Sequence, residues 1–181
     1  MKELSLNILD IIENSVAARS AKIELSVTEN SKNDSLEIEV IDDGAGMTEE
    51  FAQKALDPFT TGSSKKRVGL GLPFLKEEAE ACEGGLKIKS APGKGTEVKA
   101  VFKNSHIDRP PMGDIAGTVS TVMALHPKLH LVFRYSIDGG CFTVDSKELE
   151  NMFAPVPLNE PAVIKGVENY IKTNIEELGG R

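Results

Sequence analysis

No apolar run in the chain is long enough to cross a bilayer, which takes about 20 residues. The opening, MKELSLNILD, starts charged but has no unbroken apolar stretch and no small-residue cleavage site, so no secretory signal is expected. Cysteine is scarce. Cys82 and Cys141 stand far apart without metal-ligand spacing, and they are expected as reduced, partly buried thiols of a cytoplasmic protein. Positive charge is in short supply too: 21 Lys+Arg against 28 Asp+Glu leave a formal net charge of -7. Such a chain repels nucleic acid and anionic membrane, so neither is an expected partner, and any polyanion must be gripped locally. Gly-Lys-Ser/Thr is absent, which excludes a Walker-type phosphate loop. The third glycine of a dinucleotide fingerprint is missing after Gly71.

What is present suffices for a globular domain. Apolar residues make up 40% of 181, room for one core and a small appendage. Apolar spacing predicts a helix over 6–19, with Ser5 as its N-cap. Alternation predicts strands at Lys22–Thr28 and Leu36–Ile41. Helices are expected at Thr48–Leu56 and Leu72–Cys82, the second stopped by Gly84-Gly85. Leu86–Ser90 and Thr96–Lys103 read as strands joined across Ala91-Pro92-Gly93-Lys94-Gly95. Pro110-Pro111 interrupts the pattern and suggests a boundary, giving 1–104 as one domain and 105–181 as a C-terminal α/β accessory region. That region reads helix (Asp114–Leu125), strand (Leu129–Ile137), turn, strand (Cys141–Val144) and helices near 146–153 and 160–178. The last helix carries Val163, Val167, Ile171, Asn174 and Leu178 along a stripe.

Four short motifs carry chemistry. Asp10 and Asn14 lie one helical turn apart on one face, where a carboxylate and an amide oxygen can hold a hydrated magnesium ion and position a water. Asp42-Asp43-Gly44-Ala45-Gly46 puts a carboxylate at a strand end beside glycines that let a flat ligand approach. Thr60-Thr61-Gly62-Ser63-Ser64-Lys65-Lys66-Arg67, running into Gly69-Leu70-Gly71-Leu72, concentrates cations and backbone N–H groups ahead of a helix start, as a polyphosphate requires. Gly93-Lys94-Gly95-Thr96 enters a strand from a turn. Each alone has a bland reading: a solvated polar stripe, an Asp-Gly turn, a solvated loop, a hairpin.

Together, in this order, they resemble the superfamily of gyrases, heat-shock chaperones, histidine kinases and MutL-type ATPases. Ile12-Glu13-Asn14-Ser15 followed by Ala21-Lys22-Ile23 resembles the MutL form. Asp57-Pro58-Phe59, Gly69-Leu70-Gly71-Leu72 and Ala91-Pro92-Gly93-Lys94-Gly95-Thr96 resemble the histidine-kinase form. The resemblance spans about residues 4–103. It implies the Bergerat fold, an α/β two-layer sandwich with a mixed sheet and helices on one face. It implies ATP and Mg2+ as cofactors, with Asn14 on the metal, Asp42 on the adenine amino group and Gly44 and Gly46 shaping the base pocket. Thr96 would sit near the adenine. Thr61, Lys65, Lys66, Gly69, Leu70 and Gly71 would form the phosphate lid, expected to be mobile without nucleotide.

The chain also departs from the pattern. Hydrolytic members have Glu where Asp10 stands, one methylene longer, and histidine kinases carry a basic residue where Ala17 stands. Three readings therefore stay open: a kinase acting on a partner protein, a slow ATPase with Asp10 as base, and a non-enzymatic ATP-gated binding module. An unidentified protein partner is expected, and a homodimer is left open. Ser105-His106-Ile107-Asp108-Arg109-Pro110 resembles a phosphoacceptor box, but it follows the ATP domain and its prolines disfavour a helix. An incidental histidine in a joining loop is the preferred reading.

Overall fold

The computed structural model describes residues 3–57 and 71–179. Thr61, Lys65, Lys66, Gly69 and Leu70, expected in the phosphate lid, lie outside the described residues. The chain runs α1 (Leu4–Ala17), β1 (Lys22–Asn30), β2 (Ser35–Asp42), α2 (Glu49–Lys54), α3 (Gly71–Ala81), β3 (Gly85–Ser90), β4 (Thr96–Lys103), α4 (Ile115–Leu125), β5 (His130–Ile137), β6 (Gly140–Asp145), α5 (Ser146–Phe153) and α6 (Pro161–Glu177). The strands form one sheet in the order β3-β4-β2-β1-β5-β6. All neighbours are antiparallel except β1 and β5, so the sheet is mixed, as expected.

Period-two alternation explains the two layers. Ile23, Leu25 and Val27 of β1 pair across to Asp42, Val40 and Ile38 of β2 and to Leu131, Phe133 and Tyr135 of β5. These apolar side chains, with Val98, Ala100 and Phe102 of β4, are buried with Leu4, Ile8, Ile12, Leu75 and Val119 of the helices in one core. The intervening positions face away from the helices and include charged residues, as in the Lys99 ion pair with Glu37. Tyr135 is buried and donates to Glu29 Oε1 at 2.6 Å. Burial first, and then that bond, push its phenol above the ordinary value.

The segment after Pro110-Pro111 leads into elements that extend this sheet, since β5 runs parallel to β1 over eight residue pairs from Lys22↔His130 to Glu29↔Ile137. It also caps α1. Leu4 N and Ser5 N donate to Pro111 O and Met112 O at 3.0 and 2.8 Å. Ser5 is therefore not the N-cap. The helix starts earlier, Glu3 holds the cap position, and Ser5 is buried inside the first turn. Distant carbonyls satisfy the orphan N–H groups that a side chain would otherwise take.

Two further expectations shift. The buried residues of α6 are Val163, Val167, Ile171 and Ile175, with Asn174 and Leu178 of the expected stripe half-buried beside them. Ile175 extends that face by one residue, and Asn174 satisfies its amide by donating to Tyr170 O at 2.8 Å. Cys82 is buried, which raises its thiol pKa, whereas Cys141 is exposed on the edge strand β6 rather than partly buried. Among the described residues no helix is long and apolar enough to cross a membrane.

Candidate functional site

Between α1 and the ends of β2 and β4 lies a cavity of about 530 Å³. That lies within the range typical of small-molecule sites, roughly 300–1,000 Å³. Its walls are mostly apolar, with Ile11, Met47, Phe51, Leu72 and Val98, and its polar groups include Asn14, Ser15, Asp42 and Thr96.

Asp42 ends β2 and faces the helices, because its register partner Ile23 does. It is only 8% exposed, so its carboxylate must be paired to stay buried. Ser15 Oγ donates to its Oδ2 at 2.7 Å, and Gly44 N donates to its Oδ1 at 2.8 Å. Ser20 Oγ is 3.1 Å from the same Oδ1 but 2.8 Å from Ser15 O. A hydroxyl has one proton, so Ser20 bonds the carbonyl better. A carboxylate accepts at about four lone-pair sites, which leaves room for a ligand donor. Thr96 faces Asp42 directly across β2 and β4, its hydroxyl 2.9 Å from Ser90 Oγ.

The glycine turn and the β3–β4 hairpin are pressed together behind this carboxylate. Gly93 N donates to Ala45 O at 2.7 Å, and Met47 N donates to Ser90 Oγ at 2.8 Å. Gly46 has φ +65, and a Cβ there would lie 2.0 Å from Ala91 O. Gly95 has φ +79, and a Cβ there would lie 1.8 Å from Asp42 O. Both positions demand glycine by conformation and by space.

Asn14 presents the opposite situation. Its amide nitrogen is buried without a hydrogen-bond partner among the described residues, while the residue lines the cavity. Turning the amide over would leave its oxygen unpaired at that spot instead. Asp10, one turn earlier, is exposed and lies outside the cavity lining. It sits against the start of α3: a Cβ on Gly71 would come 2.7 Å from the Asp10 Cβ and 2.9 Å from its Oδ2. Gly71 is small because the Asp10 side chain occupies that space. Asn7, an omission from the sequence reading, ties the same helices together by donating to Glu78 Oε2 at 2.7 Å. Glu13 faces elsewhere and meets His126 Nε2 at 2.9 Å.

Of the expected residues, the cavity thus gathers Asn14, Asp42, Gly46 and Thr96 on its lining, with Gly44 bonded to Asp42 behind it. Asp10 and Gly71 pair at its edge. Ser15, Ser20 and Arg19 were missed. Ser15 follows Asn14 directly, and that adjacency was the available signal. His106 stands in a turn, its Nδ1 accepting from Asp108 N at 3.2 Å. It follows Lys103, the far end of β4 from Thr96, about 23 Å away along the strand. It cannot meet a group held at Thr96 within one chain.

The donor set fits a magnesium nucleotide. Among the described residues no group of three His, Cys, Asp or Glu could hold a metal ion by itself. Magnesium is commonly held by one or two protein oxygens plus waters and substrate phosphates, so the oxygen of one amide such as Asn14 would suffice.

Comparison with known proteins agrees with the geometry. Residues 1–106 match the family described as histidine kinase-, DNA gyrase B- and HSP90-like ATPase. The chain is 32% identical over 108 residues to the sensor histidine kinase YxdK of Bacillus subtilis, covering 56% of this chain and 33% of that protein. It is 31% identical over 80 residues to the nitrogen regulation protein NtrY of Azorhizobium caulinodans, covering 44% and 10%. It is 30% identical over 122 residues to the cell-division control histidine kinase PdhS of Brucella anthropi, covering 59% and 11%. The chain therefore spans a third or less of the length of these relatives. With the matched family covering more than half of the chain, and the mixed sheet and one-sided helices beside it, this protein belongs to the histidine kinase-, DNA gyrase B- and HSP90-like ATPases, as an ATP-binding domain of the histidine-kinase-like type.

Proposed function

We propose that the cavity between α1 and the sheet binds ATP with magnesium, and that the domain uses it for slow hydrolysis or for phosphotransfer to a partner protein. One observation carries this reading: a buried, hydrogen-bonded carboxylate at Asp42 and an amide nitrogen at Asn14 that is buried and unpaired among the described residues line the same cavity. The carboxylate would accept from the adenine amino group, with Thr96 across the strand holding a water against the ring. Gly44 and Gly46 keep the turn behind the base free of side chains. Asn14 would ligate the magnesium, which when bound offsets charge on the phosphates. Asp10, set against Gly71 at the start of α3, would take the proton of the attacking water or of a partner's hydroxyl or imidazole. The phosphate lid would draw Thr61, Lys65, Lys66, Gly69, Leu70 and Gly71 over the phosphates.

A second reading is an ATP-gated binding module without turnover. The exposure of Asp10 outside the cavity lining favours it. Calorimetry with ATP and ADP, with magnesium and with a chelator, tests the binding that both readings share. Absence of binding at millimolar nucleotide overturns both. Incubation with γ-labelled ATP then separates them by released phosphate, labelled protein or intact ATP. Localisation in the cytoplasm and a protein partner form part of the same proposal.

A further inference from the structure

Arg19 stands just past the C-terminus of α1 with φ +63, a left-handed conformation that residues with a Cβ rarely adopt. The helix ends in a Schellman pattern, Arg19 N donating to Val16 O at 2.9 Å and Ser20 N to Ser15 O at 3.2 Å. Glycine is the usual occupant of that position. Three other non-glycine residues share the conformation, Asp34, Glu83 and Asp138. Each has a side-chain partner: Ser105 for Asp34, Lys103 for Glu83 and the Ser31 N–H for Asp138. Arg19 has no side-chain hydrogen bond or ion pair with the described residues. It does line the cavity, and it is the one cation among the described residues that do.

Its place on the cavity wall follows from its neighbours. Ala45 N donates to Ala18 O at 3.0 Å, and a Cβ on Gly44 would come within 3.0 Å of the Ala18 Cβ and 2.6 Å of Ser20 Oγ. The 18–20 corner is therefore packed on the Asp42–Gly44 corner. Asn14 lies five residues back, about 7.5 Å along the helix axis. The corner that carries Arg19 thus lies at the Asp42 end of the cavity. Ala17 and Ala18 before it are small and line the same cavity.

We propose that Arg19 is a nucleotide-binding residue whose guanidinium closes over the purine ring, stacking on its outer face while Asp42 holds its edge. This rests on the ATP reading above. A guanidinium is planar, stays charged and stacks well on aromatic faces, whereas an ammonium offers no flat face. A conformational cost at one residue is retained where the side chain gains a ligand contact.

The test compares wild type, Arg19→Gly and Arg19→Lys, with ADP followed by calorimetry and adenosine by ligand-observed NMR. Arg19→Gly is expected to weaken both ligands by the same factor, about five- to tenfold. Its melting temperature should be no lower than that of wild type, since glycine suits φ +63. Arg19→Lys should lose about threefold, again alike for both ligands. Loss confined to ADP would overturn the stacking role in favour of a phosphate contact. If wild type binds both ligands and Arg19→Gly binds them equally well, Arg19 has no role while the ATP reading stands. If wild type binds neither, the ATP reading falls and takes this proposal with it.

Discussion

Asp42 and Asn14 line one cavity, yet their polar atoms are treated in opposite ways. Around Asp42 the chain supplies two donors, Ser15 on α1 and the Gly44 N–H in the turn, with Ser20 close by and, behind them, the hairpin that bonds Ala45 and Met47. Around Asn14 it leaves the amide nitrogen with nothing to bond among the described residues and sets Asp10, one turn earlier, outside the lining. A site that must select one base benefits from donors and acceptors fixed beforehand. A site for metal and phosphates, which bring their own charge and water, can leave groups to be completed on binding. The preorganised end should therefore govern folding and affinity together, and the incomplete end should let them separate.

The largest effect is expected where the preorganised end is tightest. Gly95→Ala puts a Cβ 1.8 Å from the Asp42 carbonyl at φ +79, and the hairpin must move. The expected cost is about 3 kcal/mol, or roughly 6–12 °C in melting temperature for a chain of this size. Gly93→Ala is the control. It has φ +74 but open space, so about 1 kcal/mol is expected. Equal melting temperatures for the two variants would show that the hairpin is not braced against Asp42.

Next comes Asp42→Asn. An amide presents two N–H donors where the carboxylate accepts from Ser15 and Gly44, so one donor faces another. Removing a charge-assisted pair of this type costs about 2–3 kcal/mol. Adenine nucleotides should bind about 100-fold more weakly by calorimetry. An unchanged dissociation constant would mean that Asp42 is a structural acid and not a base contact.

Asn14→Ala tests the incomplete end. It removes a buried nitrogen that has no partner, so the ligand-free protein should be no less stable, and up to about 1 kcal/mol more stable. The gain in ATP affinity that magnesium gives should vanish, leaving the affinity seen with a chelator. If magnesium strengthens ATP binding to the variant as much as to wild type, another group holds the ion.

The sequence discloses these two ends unequally, for a physical reason. Strands whose partners alternate were legible from period alone, and Thr96–Lys103 was expected with the bounds observed. Asp114, expected at the start of its helix, caps it by accepting from Gly117 N. Asn14, Asp42 and Thr96 could be found because they stand in short local motifs. Ser15 and Ser20 could not be assigned to Asp42 from the residues, since their contacts cross 27 and 22 positions. The same holds for the α1 cap made by Pro111 and Met112, and for Asn7 with Glu78 across 71 positions. The left-handed turn at Arg19 was hidden because the usual signal, glycine, is absent there.

The smallest change in stability should come from the two carboxylates that precede Asn14 on α1, and it sharpens the contrast most. Glu13 is adjacent in sequence, but α1 turns it toward α4, where it meets His126. That pair is half open to solvent, so Glu13→Gln should cost no more than about 0.5 kcal/mol and leave nucleotide affinity and turnover alone. Asp10 is one full turn away and rests on Gly71, the last residue expected in the phosphate lid. Asp10→Asn keeps the shape and Asn14, so melting temperature and magnesium-ATP affinity should stay close to wild type. Turnover of γ-labelled ATP should nevertheless disappear, because an amide cannot take the proton. Asp10→Glu restores the missing methylene and should raise turnover if reach limits it, provided the longer chain clears Gly71. Should Asp10→Asn release or transfer phosphate at the wild-type rate, Asp10 is not the base. The exposed acid would then be an edge group of an ATP-gated binding module, and only the preorganised end of the cavity would retain a function fixed by its own residues.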